Sequence, residues 1–237
     1  DSNWLVQETA DLNGLTLVVG HPARQASAGR RERSVSVASL SNAASVLCEG
    51  HITHCYAKRE LPNYQVFDER RYFVPGHEAC VFDVAGDDGR PVRVGLLICE
   101  DAWFEAPAAD ARAAGAELLA VINASPFHAG KGGEREATMA NRARAVNLPL
   151  VYAHLVGGQD EIVFEGRSFV LTADGTLAGR AVSFEESLFD VALSRQPAGW
   201  QIGAAIDRPH SAEADLWHAL VLGVRDYIGK NLSLIHI

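Results

Sequence analysis

Val92–Phe104 reads VRVGLLICEDAWF, and this stretch decides the fold. Val92–Ile98 is a continuous apolar run, short and rich in β-branched and aliphatic side chains, so it predicts a buried strand. The strand delivers Cys99 at its carboxyl end, and Glu100 and Asp101 open the next segment. In α/β proteins, strand ends present side chains to substrate from a rigid base. A cysteine there is either a small core hydrophobe or a nucleophile. Two acidic neighbours do not favour thiolate, so a reactive Cys99 needs a cation from elsewhere in the chain.

Working outward, short apolar runs recur on both sides. Leu15–Gly20 predicts a buried strand, and Ser34–Leu40 alternates like a half-exposed one. Ala44–Glu49 and His51–Lys58 predict two strands turning at Gly50, and Ala79–Val84 pairs with Val92–Ile98 across the Gly86–Gly89 turn. Downstream, Ala106–Ala116 and Glu134–Asn147 predict helices. Glu117–Asn123, Leu150–Leu155, Ile162–Leu171 and Leu188–Leu193 predict further strands, with Gly166 and Asp174-Gly175 as turn markers. Strands outnumber helices and many are joined by tight turns, which fits a mixed α/β sandwich better than a dinucleotide-binding fold. No glycine-rich phosphate loop follows a strand.

The candidate cation lies in Tyr56–Phe73, YAKRELPNYQVFDERRYF. Lys58 ends a predicted strand, and a Pro-Asn turn follows. A lone lysine is ordinarily a solvated charge, but Tyr64, Phe67, Tyr72 and Phe73 make this loop more aromatic than solvent requires. A third segment, Val121–Glu134, reads VINASPFHAGKGGE. There a buried strand runs into a Ser-Pro turn and a glycine-rich loop carrying Lys131, the kind of edge on which binding residues sit.

The 237 residues suffice for one large domain, or one domain and part of another. Formal charge is −9 and no basic stripe is visible, which argues against nucleic-acid and anionic-membrane partners. No apolar run reaches the roughly 18–20 residues that span a bilayer. Cys48, Cys55, Cys80 and Cys99 are too few for a disulfide scaffold and lack zinc spacing, so the chain reads as cytoplasmic, with reduced thiols and no metal. Its start lacks a signal peptide and reads as the middle of a longer chain. Gln196–Gly199 looks like a linker. Ser211 then caps a helix, ADLWHALVLGVRDYIGKN, expected to begin a second domain and to make few contacts with the first. The terminal LSLIHI matches a translated sequencing adapter and is set aside as non-native.

Together the three segments resemble the glutaminase domain of glutamine-dependent NAD synthetases, in the nitrilase-like amidase superfamily. The resemblance spans Leu12–Asn231 and rests on KRELPNYQVFDERRYF, LLICEDAWF, INASPFHAGK with the REATMANRA helix, and GGQDEIVFEGRSF. The LPNYxVFDExRYF string separates this family from generic nitrilases.

The resemblance implies an α-β-β-α four-layer sandwich of mixed sheets, missing its N-terminal strand or strands. It makes Cys99 the nucleophile, Lys58 the triad lysine, and Tyr64, Ser125 and Lys131 the glutamine-holding residues. Cys99 and Lys58 should then lie side by side. It implies no cofactor in this domain, ATP and magnesium in a separate synthetase domain, and L-glutamine, deamido-NAD and ATP as partners of a homo-oligomeric parent.

The family's general-base glutamate, at the end of an early strand, has no counterpart before Leu15, and no pyrophosphate loop follows the last helix. The expected organisation is therefore glutaminase over 1–195, linker and first synthetase helix over 196–231, and a non-native tail over 232–237. A stand-alone nitrilase-type amidase and a catalytically dead assembly domain are the competing readings.

Overall fold

The computed structural model describes residues 2–24, 40–64, 66–197 and 199–231. They form a mixed α/β architecture with several sheets, divided into two compact units, residues 1–117 and 118–237.

In the first unit, α1 (Ser2–Glu8) precedes β1 (Thr16–Arg24), β2 (Leu40–Cys48) and β3 (His51–Ala57), which form an antiparallel sheet in that order. Central β2 buries Ala43, Ala44, Val46 and Leu47, whereas β3 is exposed along His51–Cys55 and becomes buried at Tyr56. The β2–β3 turn falls at Gly50, as expected. Its φ is 72°, and a Cβ would sit 2.9 Å from Ala10, so only glycine fits. Then come α2 (Glu69–Tyr72) and the hairpin of β4 (Cys80–Val84) with β5 (Val92–Ile98), registered Cys80↔Leu96 to Val84↔Val92. Leu96, Leu97 and Ile98 are buried, so the predicted core strand is one. It runs directly into a 3₁₀ turn, Cys99–Trp103, and α3 (Glu105–Ala113).

The second unit opens with a parallel crossover: β6 (Leu118–Asn123), α4 (Lys131–Val146) and β7 (Leu150–His154). The α4 helix buries Arg135, Met139, Arg142, Ala143 and Val146, a single face at helical spacing. Next are the hairpin of β8 (Val156–Gln159) with β9 (Ile162–Glu165), then β10 (Phe169–Leu171) and β11 (Leu177–Arg180). Strands pair in the order β6-β7-β10-β11. The hairpin of β12 (Val191–Gln196) with β13 (Gly199–Ala204) precedes α5 (Ala212–Lys230).

The run Ile162–Leu171 breaks into two strands at the Gly166 turn marker, where Gly166 and Arg167 both take positive φ (66° and 59°). Three expectations need correction. Leu188 is 97% exposed and lies outside β12, which starts at Val191. The apparent linker at 196–199 is a hairpin turn whose flanking residues, Gln196 and Gly199, pair across it. Finally, α5 is helical as expected but is docked. Ala219 and Leu222 pack with Phe184, Phe127, Val156 and Val163. Asp226 Oδ2 accepts the Gly158 N–H at 2.7 Å, and Lys230 Nζ donates to Gly158 O at 2.5 Å. A Cβ at Gly158 would lie 3.2 Å from Gly223 Cα, so the glycine lets the hairpin backbone meet the helix. The expected strand at Ser34–Leu40 falls outside the described residues except for Leu40, which opens β2, and 232–237 falls outside them entirely.

Candidate active site

Cys99 stands where β5 ends, buried, and with φ 46°. A left-handed backbone at a non-glycine residue costs about 1–2 kcal/mol, and such strain concentrates at functional positions. By contrast, burial pushes the Cys80 thiol up to about 11, with Cys55 adding to the effect, as for an inert core cysteine.

Lys58 follows β3 directly and is only 1% exposed. An ammonium so far from water must be paired. Its Nζ donates to Glu69 Oε1 at 2.7 Å, and Asn42 Nδ2 donates to Glu69 Oε2 at 3.3 Å. The backbone is fixed too: Lys58 N–H donates to Asn42 O and Gly76 N–H donates to Lys58 O, both at 2.8 Å. A Cβ at Gly76 would come within 2.2 Å of Ala57 O, so this approach also needs glycine.

Tyr64 is half-exposed, and its hydroxyl donates to Glu100 Oε1 at 2.8 Å. Burial first, then the Glu100 hydrogen bond and charge, then Cys99 and Glu69, push its phenol above the ordinary range. Tyr64 therefore has both Cys99 and Glu69 as electrostatic neighbours. With Glu100 it lines a cavity of about 250 Å³ that also touches Glu60, Asn63, Arg70 and Phe104.

In the second unit, Ser125 lies just past the end of β6 and is buried. Its Oγ accepts from Asn123 Nδ2 at 3.1 Å and Arg135 Nη2 at 3.2 Å. With its acceptor side filled by two donors, the hydroxyl proton is left to donate elsewhere. Arg135 is itself buried and donates through Nη1 to Glu165 Oε1 at 2.7 Å. The His154 ring lies against Ser125 O and Gly166 O, and burial, then the Arg135 charge, push its pKa down to about 3. Lys131 is the first residue of α4, after Gly130 in the left-handed conformation, so the predicted helix starts three residues earlier than its sequence suggests.

Two residues were missed from sequence. Glu69 lies inside the quoted Tyr56–Phe73 string, and the signal for it is the need of a buried lysine for a nearby carboxylate. Glu100 reads as an unfavourable neighbour of the thiol but serves as the acceptor for Tyr64. Among the described residues, no group of three or more His, Cys, Asp or Glu side chains could hold a metal, and no helix is long and apolar enough to cross a membrane.

The first unit thus holds a buried cysteine with a left-handed backbone at a strand end and a buried lysine paired with a partly exposed glutamate. The carbon-nitrogen hydrolase family profile matches residues 5–200, and the chain belongs to that family. Its relatives are more particular. It is 42% identical over 229 residues to the glutamine-dependent NAD(+) synthetase of Xylella fastidiosa (strain Temecula1), covering 94% of this chain and 38% of that protein. The namesake enzyme of Xanthomonas campestris pv. campestris is also 42% identical, over 96% of this chain and 39% of its own length. The chain thus spans well under half the length of these relatives. Among solved structures, the glutamine-dependent NAD+ synthetase of Acinetobacter baumannii in complex with ADP superposes with a TM-score of 0.82 at 29% identity, over 96% of this chain and 40% of that one. An amidase from Nesterenkonia sp. AN1 in complex with butyramide shares the fold, with a TM-score of 0.61 at 23% identity over 76% of this chain and 61% of that one.

Proposed function

We propose that this chain is the glutamine-hydrolysing part of a glutamine-dependent NAD synthetase. The observation that carries the reading is buried Lys58, paired with the partly exposed Glu69 carboxylate, in one unit with strained Cys99. Cys99 thiolate attacks the side-chain carboxamide carbon of glutamine, and Lys58 stabilises the oxyanion as an ammonium in a dry site. The base that took the Cys99 proton returns it to the leaving nitrogen, so ammonia departs and a thioester remains on Cys99. A base-activated water then attacks the thioester carbonyl, releasing glutamate and the thiol. Tyr64, Ser125 and Lys131 hold the substrate. The ammonia serves an ATP- and magnesium-dependent amidation of deamido-NAD, carried out by a separate domain, in a homo-oligomeric enzyme. The outer face of α5, with Leu216, Trp217, Leu220, Val224 and Tyr227 exposed, is where that domain packs.

The family's base is a glutamate on a strand upstream of Leu15. The Lys58–Glu69 contact favours a second reading, in which Glu69 supplies the base from within the chain. Ammonia release from glutamine decides between them. With an upstream base, residues 1–237 turn over on the order of 10²–10⁴-fold more slowly than a chain extended through that strand. Equal rates at equal folded concentration place the base within residues 1–237, and loss of that turnover in Glu69→Gln assigns it to Glu69. No ammonia from the extended chain rejects the glutaminase reading.

A further inference from the structure

Asp101 is completely buried, and its charge has no role in the chemistry above. Oδ1 accepts the backbone N–H of Arg59 at 3.0 Å and of Glu60 at 2.8 Å. Oδ2 accepts the Tyr56 hydroxyl at 2.8 Å and the Ile98 N–H at 3.1 Å. These four donors come from two segments far apart in sequence. Tyr56, Arg59 and Glu60 bracket Lys58, and Ile98 immediately precedes Cys99.

We propose that Asp101 is a positioning residue, a carboxylate staple that holds the Lys58 backbone against the Cys99 turn and so keeps the ammonium where it favours the thiolate. This rests on the reading of Cys99 as nucleophile and Lys58 as its cation. The chemistry of the group fits the task. A carboxylate accepts on both oxygens, whereas an amide has one oxygen and turns two donors toward whatever faces its nitrogen. Only an acid serves four converging donors. Electrostatically an acid is the wrong neighbour here, because a buried anion two residues from a thiol disfavours thiolate. Burial pushes the Asp101 carboxyl up and the four donors oppose that shift, while burial and then Asp101 hold the Tyr56 phenol far above its usual range. An anion kept in so unfavourable a place is kept for its geometry.

The two effects have opposite signs, which makes the test sharp. The rate of Cys99 alkylation by iodoacetamide is followed against pH in the 237-residue chain, each cysteine being read separately by peptide mass spectrometry. In the unaltered chain, Cys99 should react with a pH midpoint below the ordinary thiol value of about 8.5, with exposed Cys55 as internal reference. D101N should raise the Cys99 midpoint by about one unit, a roughly tenfold loss of rate at pH 7, and leave Cys55 unchanged. A midpoint that falls or stays put in D101N overturns the proposal, because removal of the negative charge alone lowers it. Should D101N fail to fold, Y56F decides. It keeps the charge and removes one donor, so a raised midpoint with about threefold slower alkylation supports the staple, and an unchanged one overturns it. An ordinary midpoint for Cys99 in the unaltered chain rejects the nucleophile reading itself.

Discussion

Each unit holds a deeply buried cation against a carboxylate, Lys58 against partly exposed Glu69 and Arg135 against buried Glu165, and the two cations differ in kind. In the first unit the cation is Lys58, a compact point charge donating to a single Glu69 oxygen. In the second it is Arg135, whose fork reaches Glu165 with one nitrogen and Ser125 with the other. A guanidinium is always charged and divides its donors among fixed acceptors, so it serves as scaffold. An ammonium can turn its donors and is the better group to bring up to an oxyanion. On the proposed function, the lysine would support chemistry in one unit, whereas the arginine supports a hydroxyl in the other.

The largest expected effect is at Cys99, the proposed nucleophile. In the chain extended upstream, Cys99→Ala should reduce ammonia release to background while the protein still melts cooperatively; residual turnover would move the chemistry to another residue. Lys58→Met comes next. It strands Glu69 and should cost about 3–5 kcal/mol in urea unfolding, with ammonia release down by at least about 10²-fold. Adding Glu69→Leu should restore much of the stability and none of the rate. Recovery of rate in the double variant would make Lys58 structural, like Arg135. Arg135→Met strands Glu165 just as severely in stability, yet should act on binding, raising KM for glutamine by about tenfold with little change in kcat. A collapse of kcat instead would erase the distinction between the two pairs.

The smallest effect is a pH dependence in the second unit. His154 is held at about 3 when folded, against an ordinary value near 6.5. Between those values the unfolded chain binds a proton that the folded chain does not, so stability falls as pH drops from 6.5 toward 3 and is independent of this group above that window. His154→Gln should flatten this part of the urea-midpoint profile. Both ring nitrogens face carbonyl oxygens, so a cationic ring could donate to both. Stability that rises on acidification would show that these two acceptors outweigh burial and Arg135.

Much of this was legible in sequence because it is local. The apolar run Val92–Ile98 has one reading, and Cys99 follows it whatever the rest of the chain does. The turns at Gly50 and Gly86–Gly89 were equally plain, since backbone freedom is a property of single residues. Glu69 and Asp101 were not legible because their roles are defined by partners 11 and about 42 residues away, and exposed acidic residues look the same in a string of letters. The break at Gly166, by contrast, was legible, since Glu165-Gly166-Arg167-Ser168 interrupts the apolar run Ile162–Leu171. The docking of α5 was missed because its inner face, Ala219, Leu222 and Gly223, is made of small and ordinary residues. The conspicuous ones point outward.

That outward flank gives the chain a surfactant character in water. Leu216, Trp217, Leu220, Val224 and Tyr227 are each more than half exposed along one side of a single helix, a patch of the kind that draws copies together. The net charge of −9 opposes their approach at low ionic strength, and salt screens that repulsion over about 8–10 Å. Kosmotropic anions strengthen the apolar attraction at the same time. Scattering from this chain should therefore grow on adding sulfate, in contrast to assemblies held by opposite charges, which salt disperses. Replacement of Trp217 by lysine, a change on the surface of α5 away from its docked face, should push the onset of turbidity to higher sulfate concentration.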